Sequence, residues 1–115
     1  MNDIENVLKK IRRFRDERDW MQFHNPKDMA TAISIEAAEL LEIFLWKTPA
    51  EVEQAARDKR EHIEEELADI SAFLFELADN LDIDLVKAIE SKLEKNAQKY
   101  PVDKAKGKHT KYTDL

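Results

Sequence analysis

Glu36 and Glu39, and again Glu66 and Asp69, stand three residues apart in stretches that otherwise carry apolar residues at helical spacing. With 100° per residue, Glu39 falls at about 300° from Glu36, while Ala32, Ile33, Leu40 and Ile43 all lie within about 60° of it. By the same arithmetic Glu66 and Asp69 project with Ile63, Ile70, Phe73 and Leu77. Each acidic pair therefore shares the face that should turn inward, and four carboxylates are expected to converge in one core. An ionised carboxylate taken out of water is destabilising unless it is paired, and like charges brought together make the penalty worse. No Lys or Arg shares either stripe and only His62 comes near, so a bound cation is the simplest balance. Clustered oxygen ligands without cysteine select hard cations, Mg²⁺ or Mn²⁺, over Zn²⁺. Such ions suit hydrolysis of a phosphoanhydride, because they neutralise phosphate oxygens and lower the pKa of an attacking water. Spacing alone does not name the phosphorus attacked.

The elements that must hold these acids are helices. Ile4, Val7, Leu8, Ile11 and Phe14 recur at helical spacing and predict a first helix over residues 3–19. Asn25-Pro26 reads as an N-cap followed by proline at the first helical position, opening a second helix that should run to about Lys47. Thr48-Pro49-Ala50-Glu51 is a capping-box pattern and starts a new helix. The polar stretch from Glu51 to Arg60 is either a short separate helix or a solvated extension of the next one. The main third helix covers roughly residues 61–80, and Asp82 or Asp84 caps a fourth that ends before Pro101. Residues 102–115 lack periodicity and read as a basic C-terminal tail, which leaves residues 1–101 as the helical domain. Residues 99–115 hold five Lys against two Asp, so this end is basic although the chain is acidic.

Composition sets the outer limits. With 115 residues the chain is one domain, long enough for a modest core and short enough that assembly with other copies would help it. One Gly, three Pro and 38% charged residues favour helices joined by short turns, an all-α fold. A formal net charge of -6 argues against affinity for nucleic-acid polymers, which are bound chiefly through Lys and Arg, though a free nucleotide with its metal is compatible with it. The absence of Cys removes disulfides, thiolate metal sites and Cys nucleophiles. No apolar run approaches membrane-spanning length and no signal-peptide pattern opens the chain, so a cytoplasmic protein without membrane association is expected.

The ordered set Glu36-x-x-Glu39 and Glu66-x-x-Asp69, preceded by Trp20-Met21-Gln22-Phe23-His24 and followed by Lys92-x-x-x-Asn96-x-x-Lys99-Tyr100-Pro101, resembles the MazG-like nucleoside triphosphate pyrophosphohydrolases, and among them the dCTP pyrophosphatase branch. The likeness spans about residues 5–101. It implies a four- to five-helix bundle that assembles as a homo-oligomer, dimer or tetramer, and Mg²⁺-dependent hydrolysis of a nucleoside triphosphate to the monophosphate and pyrophosphate. It assigns metal binding and catalysis to Glu36, Glu39, Glu66 and Asp69, one of which orients and deprotonates the water that attacks the α-phosphorus. Control of nucleotide pools is implied on the same ground.

The resemblance places Trp20 and Trp46 around base and sugar, with Phe23 and His24 in the same segment. Without it, Trp20 and Phe23 read as a hydrophobic clasp before the second helix, and His24 as a solvated loop residue. His62 lies one turn before Glu66 and either orients the acids or simply pairs with a neighbouring Glu. Lys92, Asn96 and Lys99 share one helical face that the matching motif assigns to triphosphate oxygens. Tyr100 either packs the helix end or closes the pocket. Phe73 stands where relatives carry Tyr, and Ile11 where some carry His, so dCTP or a modified pyrimidine deoxynucleotide is a preference within the class. A ferritin-like di-iron site would need Glu-x-x-His, and the residues three before His24, His62 and His109 are Met21, Lys59 and Lys106. A non-enzymatic helical interaction protein, its acids paired to basic residues of a partner, is the alternative, and it would fold and assemble without divalent ions.

Overall fold

Helix boundaries follow from capping side chains. In the computed structural model, which describes residues 2–115, the Asn2 side chain accepts from the Glu5 amide at 2.9 Å and opens helix α1, Asp3–Glu17. Asp19 then takes the left-handed conformation, φ 53°, which Asp tolerates better than most residues, and a single 3₁₀ turn covers Met21–Phe23. Asn25 accepts from the Asp28 amide at 2.9 Å, Pro26 takes the first helical position, and α2 runs Pro26–Glu42.

Helix α2 ends five residues before the expected Lys47. The chain beyond it winds into tighter turns, with the Phe44 amide donating to the Leu41 carbonyl and the Leu45 amide to that of Glu42, and Trp46 adopts a left-handed φ of 63°. Apolar spacing continues through this tightened turn, so periodicity alone overruns the true end. The capping box then forms as its sequence predicts: the Glu51 amide donates to the Thr48 hydroxyl at 3.3 Å and the Thr48 amide donates to the Glu51 carboxylate at 3.0 Å. Helix α3, Pro49–Asp58, is a separate helix, because Lys59 leaves helical geometry before α4 begins at Arg60 and runs to Asn80.

Of the two Asp residues at the next boundary, Asp82 takes the left-handed turn, φ 56°, and Asp84 is the cap, accepting from the Lys87 amide at 3.1 Å. Helix α5 covers Leu85–Lys99. The C-terminal stretch has more local structure than its lack of periodicity suggested. It contains one helical turn, α6, Val102–Ala105, and a 3₁₀ turn at Tyr112–Asp114. The Tyr112 ring stands edge-on to Tyr100 at 5.8 Å, and the Lys99 ammonium lies 4.8 Å from its centre. No strand occurs among the described residues, and none of their helices is long and apolar enough to cross a membrane.

The chain divides into two compact units, one reaching Asp82 and one comprising Ile83–Leu115. In the first, α2 packs chiefly on α4, and α1 and α3 also contact α4. Its buried apolar residues are few: Met29, Ile43, Ala55 and Ala78. Ion pairs add to the α1–α4 contact, with Arg12 forming a two-pronged pair with Asp79, its Nε donating at 2.8 Å. Phe14, Ile35 and Leu41 stay substantially exposed on a single chain, Leu41 at 68%.

Removing the α3 cap is a clean test of this boundary chemistry. Thr48→Ala should lower stability by about 1 kcal/mol while Thr48→Ser keeps most of it, measured by denaturant unfolding at fixed protein concentration.

Candidate active site

The α2–α4 contact carries acids where apolar contact would be expected. Glu36 and Glu39 come from consecutive turns of α2 and Glu66 from α4, and one carboxylate oxygen of each lies within 4.8 Å of the others. Glu66 is buried and the other two are half-buried. When these groups are ionised, the Oε2 atoms of Glu36 and Glu66 are buried with no hydrogen-bond partner. Among the described residues the only cation-capable neighbour in contact is the one the sequence singled out: His62 Nε2 lies 3.3 Å from Glu66 Oε1.

Close carboxyl–carboxyl contact shifts the titration of Glu36 and Glu39. A proton shared with the Glu66 carboxylate, then burial and the nearby charges of Asp69 and Glu66, hold Glu36 above the usual carboxylate range. Glu39 is raised in turn, chiefly by its hydrogen bond with Glu36 and by that group's charge. A set of oxygen ligands with two orphaned buried atoms and no Lys or Arg among them fits a hard divalent cation, which would supply the missing positive charge.

Asp69 departs from the expected convergence. It is exposed and outside the three-carboxylate group, because α4 turns Glu66 fully inward and leaves the residue one turn on at the edge of the contact. Its charge still bears on Glu36, and it lines an adjoining cavity of about 380 Å³. Ile11, Phe14, Trp20 and Phe73 give that cavity apolar and aromatic walls. Trp20 meets Phe14 edge-on with ring centres 5.8 Å apart and lies 6.5 Å from the His24 ring. Of the residues expected at the base, Trp20 and His24 thus reach one cavity with Asp69, whereas Phe23 and Trp46 do not line it and are exposed, Trp46 at 92%. Lys92, Asn96 and Lys99 follow one another on α5 in the second unit, and Tyr100 caps that helix.

Sequence reasoning missed a polar network at the far wall of the cavity. Glu76, 3% exposed, accepts from or pairs with three partners through Oε2: His24 Nδ1 at 2.7 Å, Asn80 Nδ2 at 3.2 Å and Arg15 Nη1 at 4.0 Å. Arg15 Nη1 also donates to Asn80 Oδ1 at 3.2 Å. His24 is therefore tied to a buried carboxylate and is not the freely solvated residue its loop position suggested. The signal was present, since Glu76 lies seven residues after Asp69 and so projects within about 20° of it on the same helix. On the other side of the acids, a cleft of about 430 Å³ is lined by Glu39 and Glu66 together with Lys47 and Lys59.

The raised carboxyls fix the sign of a pH effect. A cation must displace protons held by Glu36 and Glu39, so its affinity should fall as pH drops through their raised pKa values, and binding should release protons. Calorimetric titration of Mg²⁺ or Mn²⁺ in buffers of different ionisation enthalpy checks both statements.

Known proteins share this arrangement of chain and fold. The model of the MazG-like family matches residues 31–115. dCTP pyrophosphatase 1 of Rattus norvegicus is 42% identical over 117 residues, covering 96% of this chain and 69% of that protein, and the Homo sapiens protein of the same name is 39% identical with the same coverage. The crystal structure of a pyrophosphatase from Archaeoglobus fulgidus aligns with a TM-score of 0.85 at 41% identity, over 88% of this chain and 94% of the other. With likeness running through nearly the whole length in both sequence and fold, the chain belongs to the MazG-like family and is a homologue of its pyrophosphatases.

Proposed function

We propose that this protein is a Mg²⁺-dependent nucleoside triphosphate pyrophosphohydrolase acting on dCTP or a modified pyrimidine deoxynucleotide. The observation that carries the reading is the direct adjacency of an aromatic cavity to a crowded acid cluster, with Asp69 belonging to the wall of one and the electrostatics of the other. Identity of about four residues in ten with dCTP pyrophosphatases supports the pyrimidine preference.

Glu36, Glu39, Glu66 and Asp69 would hold the ion, with Mn²⁺ an alternative to Mg²⁺. When bound, it supplies positive charge to the phosphate oxygens and lowers the pKa of a coordinated water. The chain's own tasks are positioning and proton transfer. One of the four carboxylates orients the attacking water and takes its proton, and the raised values of Glu36 and Glu39 suit them to hold it. The water oxygen bonds to the α-phosphorus, the bond from that phosphorus to the bridging oxygen breaks, and pyrophosphate leaves. Trp20 stacks on the base, a contact worth roughly 1 to 3 kcal/mol that accepts any π-face, and His24 braces the same wall through Glu76. Phe23 and Trp46 are assigned to base and sugar, and Lys92, Asn96, Lys99 and Tyr100 to the triphosphate end, on the motif they share with the family.

A homo-oligomer, dimer or tetramer, is part of the proposal. The large apolar side chains left open on one chain, Leu41, Phe14 and Ile35 among them, support it. The nucleotide substrate would place the protein in the cytoplasm, and the basic residues of 102–115 are assigned to a tail outside the catalytic helices.

A panel of dNTPs and NTPs, including 5-methylated pyrimidines, should give the monophosphate and pyrophosphate in the presence of Mg²⁺, with dCTP types preferred. Release of orthophosphate would sink the assigned bond choice. Glu39→Gln should abolish turnover and leave a folded oligomer, because it removes charge and not volume; normal hydrolysis by that variant would refute the ligand assignment. Sedimentation of the wild-type protein as a monomer at working concentration would overturn the oligomer.

A further inference from the structure

Glu76 has a feature that bracing His24 does not explain. Both hydrogen bonds it accepts, from His24 and Asn80, end on Oε2, and the Arg15 contact approaches the same atom. No hydrogen bond among the described residues reaches Oε1, although the residue is nine-tenths buried and lines the aromatic cavity. Among the described residues the sealed oxygens without a partner are Glu36 Oε2 and Glu66 Oε2, so Glu76 Oε1 stays open to the cavity as a free acceptor, and a ligand that brings an N–H to it gains a hydrogen bond to a charged group.

The position of Glu76 determines which part of a ligand it meets. Asp69, Phe73 and Glu76 follow each other at i, i+4 and i+7 on α4 and share one face. Asp69 stands at the acid end, Phe73 contributes an apolar wall, and Glu76 lies about 10.5 Å further along the helix axis, a span that a nucleoside bridges. A nucleotide whose α-phosphate sits at the acids and whose base lies against Phe73 and Trp20 turns the edge of that base toward Glu76.

We propose that Glu76 Oε1 is a specificity determinant that accepts a hydrogen bond from the exocyclic amino group of an aminopyrimidine base. A carboxylate is acceptor-only. Cytosine offers an amino donor where uracil and thymine present a carbonyl oxygen, so the same oxygen that receives cytosine repels the other two. Arg15 and His24 keep the carboxylate paired in its buried position without occupying the reading atom. This inference rests on the nucleotide reading above and adds to it the atom that selects the base.

The test compares dCTP with the triphosphate of the 2-pyrimidinone deoxynucleoside, which lacks the 4-amino group, and with dUTP. Wild-type kcat/KM should favour dCTP over the 2-pyrimidinone analogue roughly 10- to 100-fold, the range expected for one hydrogen bond to a charged group. Glu76→Leu should bring that ratio close to one, and Glu76→Gln, whose amide can also donate, should gain on dUTP relative to dCTP. The ratio is internal to each preparation, so lost stability does not alter it, and the Gln variant reports if the Leu variant fails to fold. Unchanged ratios with normal turnover would overturn the Glu76 assignment alone, as would a wild-type enzyme that handles the analogue as well as dCTP. Failure of the wild-type protein to hydrolyse any of the three would remove the enzymatic reading and this inference with it.

Discussion

The contact between α2 and α4 is the main helix pairing of the molecule, and it is built around carboxylates that repel one another. In an ordinary helix pair the facing side chains supply the apolar contact that offsets chain entropy. Here Glu36, Glu39 and Glu66 occupy part of that seam, and their Oε2 atoms include two with no donor in reach. The chain tolerates this arrangement by raising the affinity of two carboxyls for protons. The same crowding that weakens the seam gives it a demand for positive charge. Stability and ligand affinity are coupled through this one set of oxygens, and the rest of the first unit is arranged so that the seam survives.

Polar bonds bear part of that arrangement. Few apolar side chains are buried within a single copy, with Met29 the largest that is fully enclosed. Helix α1 is fastened to α4 partly by ion pairs, Arg12 with Asp79 and Arg15 with the Glu76 and Asn80 group. The second of these sits in the cavity wall, so the residues that fasten α1 also shape the space beside the acids. A change made there for stability is therefore also a change to the pocket, and its effects on folding and on ligand recognition are not independent.

Much of this was legible from residue types and spacing. Caps at Asn25, Thr48 and Asp84 mark helix starts because a short polar side chain can satisfy amides that the helix itself leaves open. The inward acids were legible because charge on an apolar stripe conflicts with the pattern around it. What escaped the reading depends on contacts between distant parts of the chain. The rotation of α4 buries Glu66 and leaves Asp69 exposed, and a projection onto an ideal helix cannot distinguish the middle of a seam from its edge. The early end of α2 is a matter of turn geometry that apolar spacing does not encode. Glu76 stood on the same stripe as Asp69, but its partners Arg15 and His24 are more than fifty residues away in sequence. The Tyr100 and Tyr112 contact escaped because two isolated aromatics make no periodic pattern.

Among the described residues, three other than glycine adopt left-handed backbone conformations, and two of them are aspartates. The third is Trp46, which carries a bulky side chain at φ 63° and leaves nearly all of it in solvent. A glycine at that position would relax the backbone and forfeit almost no buried surface within the chain. Judged by the thermodynamics of one isolated copy, tryptophan is the poorer choice there. Its presence implies that the residue answers to a requirement outside the folding equilibrium of its own chain, and a sequence optimised for monomer stability would discard it first.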